Sequence, residues 1–372
     1  MKKSAAEIRK RVDALHNDLG VWRTHWQELY DYILPRKAVV VTKQTPGTKR
    51  GIELYDNTAM VSCEILEGAL HGMLTNPNQQ WFELRSSNRQ INELKEVKLY
   101  LQELTTRMHD VLNKSNFQTE VHELYLDLCS IGTGIMDVQE DDDKIVNFNT
   151  RFIEEIRMAE NSRGEIEEVY REFKWDAFKI YDKFNNGIEL TDEQALIARF
   201  GRPVANCLKH HDYKKKFSVV HAVYREDILS EKQFPFISQN ILKEEELELS
   251  ESGYRSFPYL TPRWTKLAGE VWGRSPGMNA LPEAKTINLM AKTVIKGAQK
   301  TVYPPLQVPD DGFTSLKKTT PGSFHYYRAG TRDRAEPIYN DARIDFDFEA
   351  MRERQMQIRS AFFCRSFESS DE

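Results

Sequence analysis

Gly273-Arg274-Ser275-Pro276-Gly277 has the G-x-S-x-G spacing of a nucleophile elbow, in which a serine on a sharp strand-to-helix turn attacks an acyl carbon. The chemistry fails at one atom. The residue after the serine must donate its backbone N–H to the oxyanion, and Pro276 has none to give. Acidic residues offer a second chemistry: Asp137, Glu140 and Asp142 could hold two metal ions in an enzyme acting on nucleic acid. The run Glu140-Asp141-Asp142-Asp143 and the cluster His210-His211-Asp212 lack the i, i+4 spacing of helical metal ligands and read as solvated loops. No G-x-x-x-x-G-K-[ST] loop occurs, which excludes a P-loop motor. Nothing here calls for a catalytic residue or a cofactor.

Lysines carry the remaining chemistry. On a helix after Pro282, at 100° per residue, Lys285, Lys292, Lys296 and Lys300 fall within about 80° of one another. Ile287, Met290, Ala291, Val294, Ala298 and Val302 take the opposite side. One face is a lysine stripe and the other a packing face. Such a stripe is either an ordinary solvated surface or a set of point charges that meets phosphates without reading bases.

The elements that position these residues follow from periodicity and breakers. Ile8, Val12, Leu15, Leu19, Trp22, Trp26, Leu29 and Ile33 predict one long amphipathic helix from Ser4 to Pro35, opened by a Ser4/Glu7 capping box. From Asn57 to Leu74, the small residues Ala59, Ser62, Gly68, Ala69 and Gly72 predict a buried helix that another backbone approaches closely. Further helices are expected over Ile91 to Leu112 and Phe117 to Ser130, the second ending at Gly132-Thr133-Gly134. Polar turns at Asp141 to Asp143 and Ser162 to Gly164 predict two hairpins, over Met136 to Phe152 and Glu155 to Phe173. Short helices at Trp175 to Phe184 and Thr191 to Phe200, then β-rich runs at Phe217 to Tyr224 and Glu244 to Tyr254, complete an α+β middle. Pro282 is placed in the first turn of a helix that Pro304-Pro305 closes. A short β segment, an irregular stretch through Gly322 and Gly330, and a helix from about Phe346 to Phe363 follow.

Composition sets the broad class. With 372 residues, 40% of them hydrophobic, the chain can bury a core of two or three domains. Its net charge of −5 and pI near 6.1 confine any DNA contact to a local patch. The scattered Cys63, Cys129, Cys207 and Cys364 read as reduced thiols. No long apolar run and a charged, amphipathic N-terminus lead us to expect a soluble, unsecreted protein without a membrane partner.

Phe257 to Trp264, Gly269 to Gly277, Ala280-Leu281-Pro282 and Thr286-Ile287-Asn288 form a signature that continues through Tyr303-Pro304-Pro305 and Val308 to Asp311-Gly312. Together with Leu29 to Pro35, Asp56 to Ala59, Leu70 to Pro77, Trp81-Phe82 and Gly132-Thr133-Gly134, it resembles the portal, or head-to-tail connecting, proteins of short-tailed, podovirus-type bacteriophages. The resemblance runs in order over most of the chain. It implies a mainly helical α+β portal fold: 1–135 as a helical wing region, 136–262 as an α+β insertion with the clip, 263–303 as the signature segment and stem helix, and 304–372 as an irregular segment and final helix. Members usually continue further, so the C-terminal crown is expected to be missing.

The resemblance further implies a homo-oligomeric ring, usually of twelve subunits, at one capsid vertex of the virion, after synthesis in the host cytoplasm. Its partners would be copies of itself, double-stranded DNA without sequence preference, the terminase packaging motor, capsid and scaffolding proteins, and tail adaptors. It would be no enzyme, and the lysine stripe would face the DNA channel. The competing readings are the metal-dependent nucleic-acid enzyme above and a helical scaffold or adaptor without a channel.

Overall fold

Ser4 opens the first helix as its spacing predicts: its hydroxyl accepts the Glu7 N–H, and the Glu7 carboxylate accepts the Ser4 N–H. The computed structural model describes residues 2–41, 47–49, 51, 53–226, 234–302, 306–307, 336–337 and 344–364. Within them the expected long helix is two, α1 (Ala5–Asp18) and α2 (Gly20–Tyr32). The ladder is interrupted at Leu19, whose N–H turns back to the His16 carbonyl, and Gly20, a poor helix former, follows. The break lets one apolar stripe serve two cores. Ile8 and Val12 pack on a sheet, while Trp26, Leu29 and Ile33 enter the central core.

Pro35 stops α2 in a short 3-10 turn, and α3 (Thr58–Leu74), α4 (Arg89–Asn92), α5 (Lys95–Lys114) and α6 (Phe117–Ile131) follow. The helix expected over Ile91 to Leu112 is thus interrupted near Leu94. α3 buries Ala59, Ser62, Cys63 and Leu66, but Gly68 and Gly72 face open space, so only half of the close-approach expectation holds. The four cysteines are buried and none pairs with another in a disulfide, and burial pushes Cys129 up to about 12.

Both hairpins form where the turns predict them: β1 (Met136–Asp141) with β2 (Ile145–Thr150), and β3 (Ile156–Glu160) with β4 (Ile166–Asp176). Then come α7 (Ala177–Phe184), α8 (Glu193–Phe200) and α9 (Arg202–Lys209), and the strands β5 (Lys216–Arg225), β6 (Phe236–Leu242), β7 (Leu247–Tyr254) and β8 (Tyr259–Leu260). Sequence reasoning missed α9 and β6. One antiparallel sheet runs β2-β1-β8 and a larger one β3-β4-β5-β6-β7. The outer edge of β2 is closed by side chains, because Asn116 bonds both the N–H and the C=O of Phe148, and Glu120 accepts the Thr150 N–H. Short pairs follow, β9 (Thr265–Lys266) with β10 (Gly273–Arg274), and β11 (Leu306–Gln307) with β12 (Glu336–Pro337), on either side of α10 (Pro276–Val302); α11 (Ile344–Ala361) is last. Pro304-Pro305, Gly322 and Gly330 lie outside the described residues. The fold is α+β.

Alternation divides the five-stranded sheet. One face, with Tyr170, Val220, Ala222 and Ile237, packs against α1. The other carries a cross-strand polar row, Arg171, His221, Asn240 and Ser250, and lines a cleft of about 1330 Å³ toward the β1–β2 hairpin. His221 lines this cleft half-buried, with Nδ1 3.0 Å from the Tyr259 hydroxyl and Nε2 2.9 Å from the Ser238 hydroxyl. Burial pulls its pKa down to about 4. A depressed folded pKa means that this histidine contributes stability above its unfolded value near 6.5 and loses it as pH falls toward 4. The loss comes to about 3 kcal/mol. Unfolding in denaturant at pH 7.5 and 4.5 should therefore show a smaller pH dependence in His221→Asn than in the parent, and an equal dependence would remove His221 from the account.

Candidate functional site

Helix α10 is held at its base by a junction of two segments far apart in sequence. At the end of α6, Gly132 adopts φ +84° as a left-handed cap, and its carbonyl accepts the Trp264 N–H at 2.9 Å. The Gly273 N–H donates to Thr133 Oγ1 at 2.8 Å, and the Gly134 N–H to the Pro262 carbonyl at 3.1 Å. A Cβ on Gly273 would lie 2.1 Å from the Gly132 carbonyl oxygen, so the two backbones touch only because neither residue has a side chain. Gly277 repeats the device one turn on, where a Cβ would meet the Ser130 carbonyl oxygen at 2.6 Å.

Ser275 has a structural task. It is 2% exposed; its hydroxyl donates to the Ser130 carbonyl at 2.8 Å and accepts the Met278 N–H at 3.0 Å. It therefore caps the helix, with Pro276 at the first helical position. This corrects the expected start at Pro282, which instead sits exposed inside the helix, where it cannot donate to the Met278 carbonyl. Around the junction, Trp272 meets Trp26 edge-on with ring centroids 4.8 Å apart, and Arg274 lies 4.8 Å from the Trp22 ring centroid. Arg274 also grips Glu270 with two hydrogen bonds, which hold that carboxyl below its usual range. Burial opposes ionisation of Glu160, but Lys266 and Arg263 outweigh it and lower its pKa.

From this base the packing face of α10 runs through Ala280, Leu281, Ala284, Ile287 and Ala291, all buried, and then fades: Val294 is half-buried and Ala298 and Val302 are exposed. The expected packing face therefore holds only in its first half. Two polar clamps brace the middle. Asn288 accepts the Tyr55 N–H at 2.6 Å and donates to the Glu53 carbonyl at 3.0 Å, and Glu283 takes Arg354 of α11 at 2.9 Å. Sequence reasoning assigned neither role to these residues, although Asn288 lies in the signature.

The four lysines do not share one environment. Lys285 is bonded to Glu28 of α2 at 2.7 Å and lies 5.8 Å from the Tyr32 ring centroid. Lys292 sits over Tyr55 at 5.4 Å from the ring centroid. Lys296 is exposed on the second half of α10, and the side chain of Lys300 lies outside the described residues. Among the described residues, the lysines of the stripe without a carboxylate partner thus begin at Lys292, just past the last buried residue of the packing face, Ala291.

The acidic alternative does not assemble. Asp137 is 3% exposed and bonded by Gln139 at 2.7 Å and by the Arg151 guanidinium, with Nη2 at 3.1 Å. Glu140 points to the opposite face of the same strand, and Asp142 lies in the turn beyond it. His211 is in a left-handed turn conformation, its ring stacked on Phe178. Among the described residues no helix is long and apolar enough to cross a membrane.

The model of a family described as bacteriophage head to tail connecting protein matches residues 5–372. The chain is 28% identical over 375 residues to the "Probable portal protein" of Bordetella phage BPP-1, and 26% identical over 376 residues to the "Portal protein" of Salmonella phage epsilon15. Each match covers 96% of this chain and 64% of the relative, so the chain spans just under two thirds of their length.

Proposed function

Because the chain belongs to the bacteriophage head to tail connecting protein family, we propose that it is a portal subunit, which joins with copies of itself into a ring at one capsid vertex. The ring is the conduit for double-stranded DNA during packaging and ejection, and it joins head to tail. The match across residues 5–372 carries this reading. Its partners are the terminase motor, capsid and scaffolding proteins, and tail adaptors. The chain makes and breaks no bond.

In this reading the helices before Ile135 form the wing, the sheets between Met136 and Pro262 include the clip, and α10 is the stem. The glycine junction gives α10 a fixed direction. A channel through which DNA slides needs weak contacts that read no bases, and ammonium groups on flexible stems supply them. The net charge of −5 disfavours phosphate binding over the surface as a whole and leaves it to local basic patches. Lys292 and Lys296 are the grip, while Lys285, held by Glu28, braces the helix.

The test is Lys292→Glu with Lys296→Glu in a packaging assay, after particle images show that rings still form. Reversing two charges per subunit around a ring should lower the yield of DNA-filled heads by roughly tenfold, and more at low salt. Filled heads at the parental yield would remove the lysines from the mechanism.

A further inference from the structure

The turn between α9 and β5 concentrates positive charge in an otherwise acidic chain. Residues 209–216 hold Lys209, Lys214, Lys215 and Lys216 against one carboxylate, Asp212. Lys209 is paired with Glu193 at 2.8 Å, and Asp212 accepts the Lys214 backbone N–H at 2.9 Å. Among the described residues, the side chains of Lys214, Lys215 and Lys216 have no carboxylate within ion-pair distance, and all three are exposed.

Beside them is an aromatic stack open to solvent. Tyr213 lies on Phe178 with ring centroids 4.4 Å apart and planes 18° apart; His211 lies on Phe178 at 5.8 Å and 13°. Tyr213 is 63% exposed, and His211, at φ +50°, has the left-handed backbone that β-branched residues avoid and histidine tolerates. Phe178 is partly buried against the core beneath it, while the Tyr213 and His211 rings stacked on it are exposed and offer π-surface to a further flat ring.

We propose that this patch binds single-stranded nucleic acid, with unpaired bases stacking on Tyr213 and His211 and phosphates meeting Lys214, Lys215 and Lys216. Bases inside a duplex are already stacked and cannot use the rings, so the patch prefers unpaired nucleotides. An acidic protein surface would use the lysines but leave the rings idle. The patch lies on a different element from α10, so it stands whether or not α10 lines a channel.

The experiment is fluorescence anisotropy of the full chain with a labelled thymidine oligonucleotide of about twenty nucleotides, in a salt series. Tyr213→Ala should weaken binding about tenfold with the salt slope unchanged. Lys214→Glu with Lys215→Glu and Lys216→Glu should weaken it further and reduce the slope of log K against log salt by about two. Both changes are at the surface, and circular dichroism should match the parent. A strand carrying 5-iodouracil should crosslink to Tyr213 or His211. The proposal is overturned by absent binding, by a duplex that binds as tightly, by polyglutamate that competes as well as unlabelled strand, or by crosslinks only elsewhere.

Discussion

Gly273→Ala is expected to lose roughly 3 kcal/mol of stability or more, the upper range for a forced contact in a packed interior. The added carbon would sit 2.1 Å from the Gly132 carbonyl oxygen and 3.0 Å from the Arg263 Cβ, and the first of these is backbone that no rotamer change can move. Relief requires β10 to part from the end of α6, which also costs the hydrogen bond from Gly273 to Thr133 and misaims α10. Thermal melts should show a fall in Tm of roughly 4 °C. Gly68→Ala is the matched control. Gly68 lies mid-helix with nothing within 4 Å of an added Cβ, so alanine there should be neutral or stabilising by about 0.5–1 kcal/mol. If Gly273→Ala melts like its control, the junction is not the constraint we describe.

Lys37→Met is expected to be as damaging, but only when Asp127 is ionised. Asp127 is 2% exposed on α6, and Lys37 reaches it at 2.6 Å and Glu123 at 2.5 Å. Burial pushes the Asp127 carboxyl up to about 6 although Lys37 pulls it down. Without Lys37 the carboxylate would be a buried charge with no counterion, at a cost of about 3–5 kcal/mol. A raised folded pKa makes the protonated form the stable one: its contribution is full below about 4 and is lost as pH rises through about 6. The destabilisation of Lys37→Met should be large at pH 8 and shrink at pH 5, and Asp127→Asn in the same chain should restore part of it. A deficit of equal size at both pH values would show that Lys37 acts by packing alone.

The sequence made legible whatever depends on local chemistry. The Ser4 capping box, the turns at Asp141 to Asp143 and Ser162 to Gly164, and the cap at Gly132 fell where their residue types require. Where competing local signals met, one was misjudged. Pro276 and Pro282 both suit a first turn, and the choice was made by Ser275, whose hydroxyl partner on Ser130 lies 145 residues away. β6 carries three consecutive polar residues, Ser238, Gln239 and Asn240, which interrupt the alternation that marks a strand. In the fold they are satisfied by His221, Tyr224 and Ser250 on neighbouring strands. α9 opens on Gly201-Arg202-Pro203, residue types common in turns, yet Pro203 needs no N–H partner in a first helical turn.

The lysine stripe shows the same limit. Its angular spacing on α10 was calculable, but the environment of each lysine was not. Glu28, which neutralises Lys285, is 257 residues away, and Tyr55 under Lys292 comes from a segment between α2 and α3. The interlocked glycines were visible only as two short strings of the signature. That they touch is a fact of three dimensions.

The central claim is a ring with a channel, and negative-stain images of the purified chain at micromolar concentration, with mass determination, test it most directly. The account predicts rings with a central hole and a mass near twelve times 43.4 kDa, about 520 kDa. Monomers of 43.4 kDa, or closed particles without a hole, would contradict it.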